Sequence, residues 1–246
     1  MKTIVRLWLI ALLLTSITPN IAAQSLPKYR PALLGHGKRS LVNLINVESL
    51  MKRGQKDAIV MFSCGVSVLG RGYSMQVYRA APNSELLQKE LLGQIVRAEF
   101  EPAVYNHVRV GVWIDGTVSY FIRNGKPHLR VFLNQEESDL ASGKDFISPQ
   151  FAFVRGNLAF KGIYWPANAP GHEGVGAVTL DVDETGRVLS AKVSYEHPPG
   201  LGFGAAVAGP VRDALFIPGF RNGKPVRCRF TWPVLFFGGG LQMRSG

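Results

Sequence analysis

Shifting the chain against itself by 116 residues brings two stretches into register without a gap. Gly70-Arg71 falls on Gly186-Arg187, Ser74 on Ser190, Val77 on Val193 and Pro82 on Pro198. Ala98, Phe100 and Pro102 fall on Ala214, Phe216 and Pro218, and Asn106 and Val110 fall on Asn222 and Val226. The apolar pattern follows the same offset: Phe62 on Val178, Cys64 on Leu180, Val66 on Val182, and Tyr120-Phe121 on Phe236-Phe237. Self-similarity at one fixed offset is the mark of a structural unit built twice. It predicts two copies, over about 58–122 and 174–237, each too small for more than one sheet and its covering helix.

Each copy reads β-β-α-β. In the second, Val175, Ala177, Val178, Leu180 and Val182 form a first apolar run, and Asp183-Glu184-Thr185-Gly186-Arg187 a turn. A second run covers 188–195, and a last strand runs from about Val226 to Phe236. Between them Phe203, Val207, Val211 and Leu215 recur at helical spacing, but Gly209-Pro210 must shorten or break that helix, because an internal Pro costs about 3 kcal/mol. The first copy's helix, at 84–96, carries Leu87, Leu91 and Ile95 on one face with Glu and Lys opposite. The pentapeptide Arg-Asn-Gly-Lys-Pro occurs at 123–127 and at 221–225, an offset of 98, outside the repeat. The first occurrence predicts a hairpin turn, since Asn-Gly tolerates positive φ. The second is expected to lead from the helix into the last strand.

The remaining segments read as connections. Residues 24–39 are basic and rich in Pro and Gly, as in a tether, and Ser40 is placed to cap a helix reaching about Lys52. Residues 134–150 are polar and loop-like, and 151–160 alternate as a small hairpin around Arg155-Gly156-Asn157. The chain therefore divides into 1–23, a tether and short helix over 24–57, a first unit over 58–133, a linker with hairpin over 134–163, a second unit over 164–237, and a tail over 238–246.

Residues 1–23 have the form of a secretory signal: Lys2 and Arg6, an apolar run from Leu7 to Leu14, Pro19, and Ala22-Ala23. Cleavage after Ala23 gives an exported protein; retention gives an inner-membrane anchor. Export permits a disulfide, and Cys64 and Cys228, the only two cysteines, are either bridged or two buried thiols. The formal charge of +11 raises a nucleic-acid reading. Its Lys and Arg are scattered, with no basic helix or aromatic RNA-binding motif, so a basic protein drawn to anionic surfaces fits better.

The second copy carries a recognisable pattern. Tyr164-Trp165-Pro166, the stretch Gly174-Val175-Gly176-Ala177-Val178-Thr179-Leu180-Asp181-Val182-Asp183, and Gly186-Arg187-Val188 resemble the TonB C-terminal domain family. So do Ala214-Leu215-Phe216 with Pro218, Gly223-Lys224-Pro225-Val226, and the closing strand to Phe237. The resemblance covers about 164–237, and the first copy is a diverged relative without the Tyr-Pro lead-in. It departs from the family in that Trp165 separates Tyr164 from Pro166. The resemblance implies an α+β fold of two tandem TonB-C-terminal-like β-β-α-β units, small antiparallel sheets with helices on one face. It also implies a periplasmic binding protein of a Gram-negative envelope, associated with transmembrane transport.

Such proteins accept a partner peptide as an added strand, which uses the unpaired N–H and C=O groups of a sheet edge. By position, that edge is Val226, Arg227, Cys228, Arg229, Phe230 and Thr231, and the lead-in motif is Tyr164 and Pro166. Trp232-Pro233 fits an edge strand, where a missing donor is tolerated. Arg227 and Arg229 share a face by alternation and either favour acidic partner segments or solvate that face. The partner class is an envelope protein or peptide, an outer-membrane receptor included, or a second copy of the chain. Two alternatives stand beside it: a closed structural pseudo-dimer, and a membrane-anchored energy transducer, which lacks the family's Pro-rich spacer here. The histidines show no metal-ligand spacing, and Asp181, Asp183 and Glu184 are explained by turn geometry. The reading is of a non-enzyme without cofactor, metal or nucleic acid.

Overall fold

The structure, a computed structural model, describes residues 25–237, so the expected signal and tail lie outside the described residues. It is mixed α and β, mostly small antiparallel sheets with few helices.

In chain order, the short strands β1 (Tyr29–Arg30) and β2 (Leu33–Leu34) precede the helices α1 (Leu41–Leu44) and α2 (Val47–Lys52). The first β-β-α-β block follows: β3 (Ala58–Val66), β4 (Gly72–Ala80), α3 (Glu85–Ile95), the short β5 (Phe100–Glu101) and β6 (Ala103–Tyr105), and the long β7 (Val108–Arg123). Then come β8 (Lys126–Leu133), α4 (Glu137–Ala141), β9 (Phe146–Ile147) and β10 (Gln150–Phe153). The second block holds β11 (Gly174–Val182), β12 (Val188–His197), α5 (Phe203–Ala208), a 3₁₀ turn at Pro210–Asp213, β13 (Leu215–Ile217), β14 (Gly219–Arg221), β15 (Lys224–Val226) and β16 (Cys228–Phe236).

The two blocks share hydrogen-bond geometry under the offset of 116. β3 lies between β4 and β7, and β11 lies between β12 and β16. The β3–β7 ladder runs from Ala58 opposite Tyr120 to Val66 opposite Val112. The β11–β16 ladder runs from Gly174 opposite Phe236 to Val182 opposite Cys228, the same nine pairs displaced. A bulge between Met61 and Phe62 recurs between Ala177 and Val178. An isolated bridge joins Arg71 to Glu99 and another joins Arg187 to Leu215. Phe100 N–H donates to Gly70 C=O at 2.8 Å, and Phe216 N–H to Gly186 C=O at 2.8 Å.

Each block buries one sheet face under its helix. Val60, Phe62, Cys64 and Val66 alternate inward beneath Leu87, Leu91 and Ile95 of α3, all buried. In the second, Val178, Leu180 and Val182 meet Phe203 and Val207 of α5, Val211 of the 3₁₀ turn, and Trp232, Val234 and Phe236 of β16. The second helix does end at Gly209-Pro210, where Pro supplies the first residue of the 3₁₀ turn.

Several connections differ from their expectation. Residues 25–39 are not a free tether. β1 pairs with β6 and β2 with β5, and buried Gln150 holds Ala32 from both sides, accepting from its N–H at 2.7 Å and donating to its C=O at 3.0 Å. The expected helix over 40–52 is two, because Asn46 breaks it and caps α2, its Oδ1 accepting from Ser49 N–H at 2.9 Å. The hairpin expected within 151–160 does not form. Instead β10 pairs with β7 on one side and β13 on the other, with Phe151 opposite both Trp113 and Phe216. Short alternating runs do not reveal which distant strand they join. Both Arg-Asn-Gly-Lys-Pro segments are two-residue hairpins, with Asn124, Gly125, Asn222 and Gly223 all at φ between 50° and 72°. The second closes β14 on β15 instead of leading out of the helix.

Candidate functional site

The last strand begins two residues later than expected. Val226 belongs to β15, paired with Gly219, and β16 begins at Cys228, with Arg227 between them. Of the six residues expected to form the docking backbone, Cys228, Arg229, Phe230 and Thr231 lie on β16. Among the described residues β16 pairs with β11 alone, so its second edge carries no ladder.

The direction of its free backbone groups follows from the first block. Asp115 stands 116 positions before Thr231, and its C=O accepts from Asn134 N–H at 2.8 Å on the side away from β3. Ile122, of the other parity, donates its N–H toward β3's side, to Asp57 Oδ1 at 2.8 Å. By the shared register, Arg229, Thr231, Pro233 and Leu235 turn their backbone groups away from β11. Pro233 agrees, because a Pro is tolerated where its missing N–H faces an open edge. The alternate side chains point inward: Trp232, Val234 and Phe236 are buried.

On β7 the corresponding edge is already filled. β8 covers Gly116–Arg123, with Gly116 opposite Leu133 and Arg123 opposite Lys126. β10 covers Gly111–Trp113. Both strands are antiparallel to β7 and both come from the same chain.

The open edge of β16 borders a cleft of about 260 Å³. Phe230, Thr231 and Pro233 line it together with Met61, Tyr78, Asp115, Thr117 and Phe132 of the first sheet and with Glu136. Burial pushes the Asp115 carboxyl up to about 7. Tyr78, desolvated and beside Asp115 and Glu136, is held well above the ordinary phenol range. Asp115 is raised in the folded state, so the native protein binds the extra proton and stability falls as pH climbs from the ordinary 3.8 through about 7. The full shift corresponds to ~4 kcal/mol, and the partial opening of Asp115 to solvent in the cleft reduces the expected penalty to ~1–2 kcal/mol. Asp115→Asn is therefore expected to match the parent in urea melts at about pH 3, below the ordinary carboxyl range, and to exceed it by that amount at pH 8. An equal difference at both pH values would refute this assignment.

Arg227 and Arg229 have different roles despite their spacing. Arg227 forks onto Asp181 at 3.0 and 2.6 Å, and this pairing, outweighing the opposite effect of desolvation, holds the Asp181 carboxyl below its usual range. Arg229 is exposed opposite Asp181. Asp183 serves its turn: its Oδ1 accepts from the N–H groups of Thr185 and Arg187 at 2.8 and 2.9 Å and from the Thr185 hydroxyl. Among the described residues no group of three His, Cys, Asp or Glu is placed to hold a metal ion.

The cysteines are two free thiols in separate sheets, so the alternative of a Cys64–Cys228 bridge is not realised. Burial raises both thiols, Cys228 to about 11. In the lead-in motif Tyr164 is exposed, its hydroxyl donating to Lys161 C=O. Trp165 is the anchor: it packs edge-on against Phe236 at 5.5 Å and Phe203 at 6.4 Å, and Pro166 lies beside Gly202. The residue that interrupts the Tyr-Pro pair is thus the one that fastens the segment to β16. The cleft carboxylates, Asp115 and Glu136, had no signal in the sequence, because they meet β16 only through the packing of the two blocks.

Compared with protein-family models, with curated proteins and with solved structures, the chain matches none. Among the described residues no helix is long and apolar enough to cross a membrane.

Proposed function

We propose that this is an exported, periplasmic protein of two tandem TonB-C-terminal-like units, with no catalytic role, that binds an envelope protein or peptide by strand addition at β16. The single observation that supports it most is the contrast between equivalent edges. On β7 the edge holds β8 and β10 as antiparallel strands; on β16, under the same register, it is unpaired among the described residues. An unfilled edge beside a filled twin has the form of a receptor next to its own occupied copy. The blocks are joined through β10, which bonds to β7 and β13, and among the described residues β7 and β16 do not pair with each other, which favours docking over the closed pseudo-dimer.

Photo-crosslinking residues at Arg229 and Thr231 test this in envelope-containing cells. A second protein is expected in the adduct, and only intrachain adducts would refute docking at this edge. Thr231→Pro removes a donor that faces outward and leaves the β11 ladder whole, so capture at Arg229 is expected to fall at least about tenfold with little change in melting temperature. Trp232→Pro, whose N–H faces β11, is expected to destabilise the fold by about 3 kcal/mol or more.

A further inference from the structure

We infer that the strand accepted at β16 carries a basic side chain, Lys or Arg, which enters the cleft and pairs with Asp115 and Glu136. This rests on the strand-addition reading and names the chemistry of its partner.

The sequence alone points the other way, because Arg227 and Arg229 suggest an acidic partner. Arg227, however, is spent on Asp181, and both arginines lie outside the cleft that the free edge borders. No Lys or Arg is among the residues lining that cleft, although the protein as a whole is strongly basic. Its ionisable lining groups are Asp115 from β7, Tyr78 from β4 and Glu136 beyond β8. Outside the lining, Arg79 acts on Tyr78 and Arg229 lies on β16, while Cys64 of β3 is buried in the core within electrostatic reach of Asp115. Among the described residues the Asp115 carboxylate has no hydrogen-bonded or ion-paired partner of its own; Asn134 binds its main chain only.

A volume of 260 Å³ corresponds to about eight or nine waters at roughly 30 Å³ each, room for one long side chain. The surrounding walls of Met61, Thr117, Phe132, Phe230 and Pro233 suit the methylene stem, and the carboxylates suit the charged head. A cation brought to Asp115 favours its ionised form, so binding and proton release are linked. Affinity for a basic strand is expected to rise with pH through about 7, where Asp115 titrates. A neutral strand gains nothing over that interval.

The test uses the purified full chain and dye-labelled, extended ten-residue peptides, identical except for a central Lys, Arg, norleucine or Glu, in fluorescence polarisation. Lys and Arg peptides are expected to bind at least about tenfold tighter than the norleucine peptide at pH 8, with the preference shrinking at pH 6. In Asp115→Asn and in Glu136→Gln the preference should fall at least about threefold while the norleucine peptide keeps its affinity. Thr231→Pro should weaken every peptide alike. Equal binding of norleucine and Lys peptides, or a preference that survives both carboxylate substitutions, overturns the basic-side-chain assignment and leaves strand addition standing. Binding that is indifferent to Thr231→Pro, no binding of any peptide, or a self-association that blocks all of them overturns strand addition of a partner peptide and this inference with it. Circular dichroism of each variant separates these outcomes from loss of fold.

Discussion

Gly186→Ala is expected to cost about 2–4 kcal/mol, measured as a shift in the urea midpoint at constant slope. Gly186 sits at φ +86°, in the left-handed region that favours glycine. That conformation alone costs an L-residue about 1–2 kcal/mol. A Cβ there would also run into the main-chain oxygen of Phe216, a backbone atom that cannot swing aside. The same two residues are held together by the Phe216 N–H bond to Gly186 C=O at 2.8 Å, so relief of the clash breaks the contact that closes the β11–β12 turn onto β13. Gly70 repeats the arrangement at φ +74° against the Phe100 oxygen, and Gly70→Ala is expected to cost a similar amount. By contrast Gly93→Ala, in α3 with open space around it, should be neutral or stabilising by up to about 1 kcal/mol. Comparable effects at positions 93 and 186 would contradict the backbone argument.

Phe151→Ala is expected to cost about 3–5 kcal/mol, the range for removing a fully buried Phe. Phe151 is 1% exposed and is the centre of an aromatic cluster. It stacks on Trp232 at 5.3 Å with the planes 9° apart, and meets Phe216, Phe160 and Phe153 edge-on at 5.6, 5.3 and 5.1 Å. The substitution removes one partner from each of these and leaves a cavity between β10 and β16. The loss reaches the candidate site, since Trp232 is the inward residue between Thr231 and Pro233. Peptide capture at Thr231 should therefore weaken together with stability. Phe153→Ala, on a half-buried residue of the same strand, should cost clearly less. Thermal melts that rank the two the other way would mean that β10 does not occupy this position.

Local patterns were legible in the sequence. The helix of the first block, expected at 84–96, is α3 at Glu85–Ile95, because Leu87, Leu91 and Ile95 set an unambiguous helical period. The break at Gly209-Pro210 followed from proline chemistry. What was not legible depended on distant partners. Nothing in Gln150-Phe151-Ala152-Phe153 says that its neighbours are Trp113 and Phe216, and nothing in residues 25–39 says that Gln150 will bind Ala32. The candidate site divides the same way. The last strand and its Trp-Pro were legible, since strand propensity and proline placement are local. The acidic wall opposite was not, since Asp115 reads only as a polar residue on the outer face of a strand.

The position of β10 bears on how the chain folds. It is hydrogen-bonded to β7 of the first block and β13 of the second, and its first residue holds the N-terminal segment through Ala32. A strand that needs both flanks before it gains its bonds cannot order ahead of either block, and its partners lie tens of residues away in both directions. A chain with two separate hydrophobic clusters would otherwise be expected to melt as two units, one after the other. With a common rib shared between them, the halves are expected to gain and lose structure as one cooperative body.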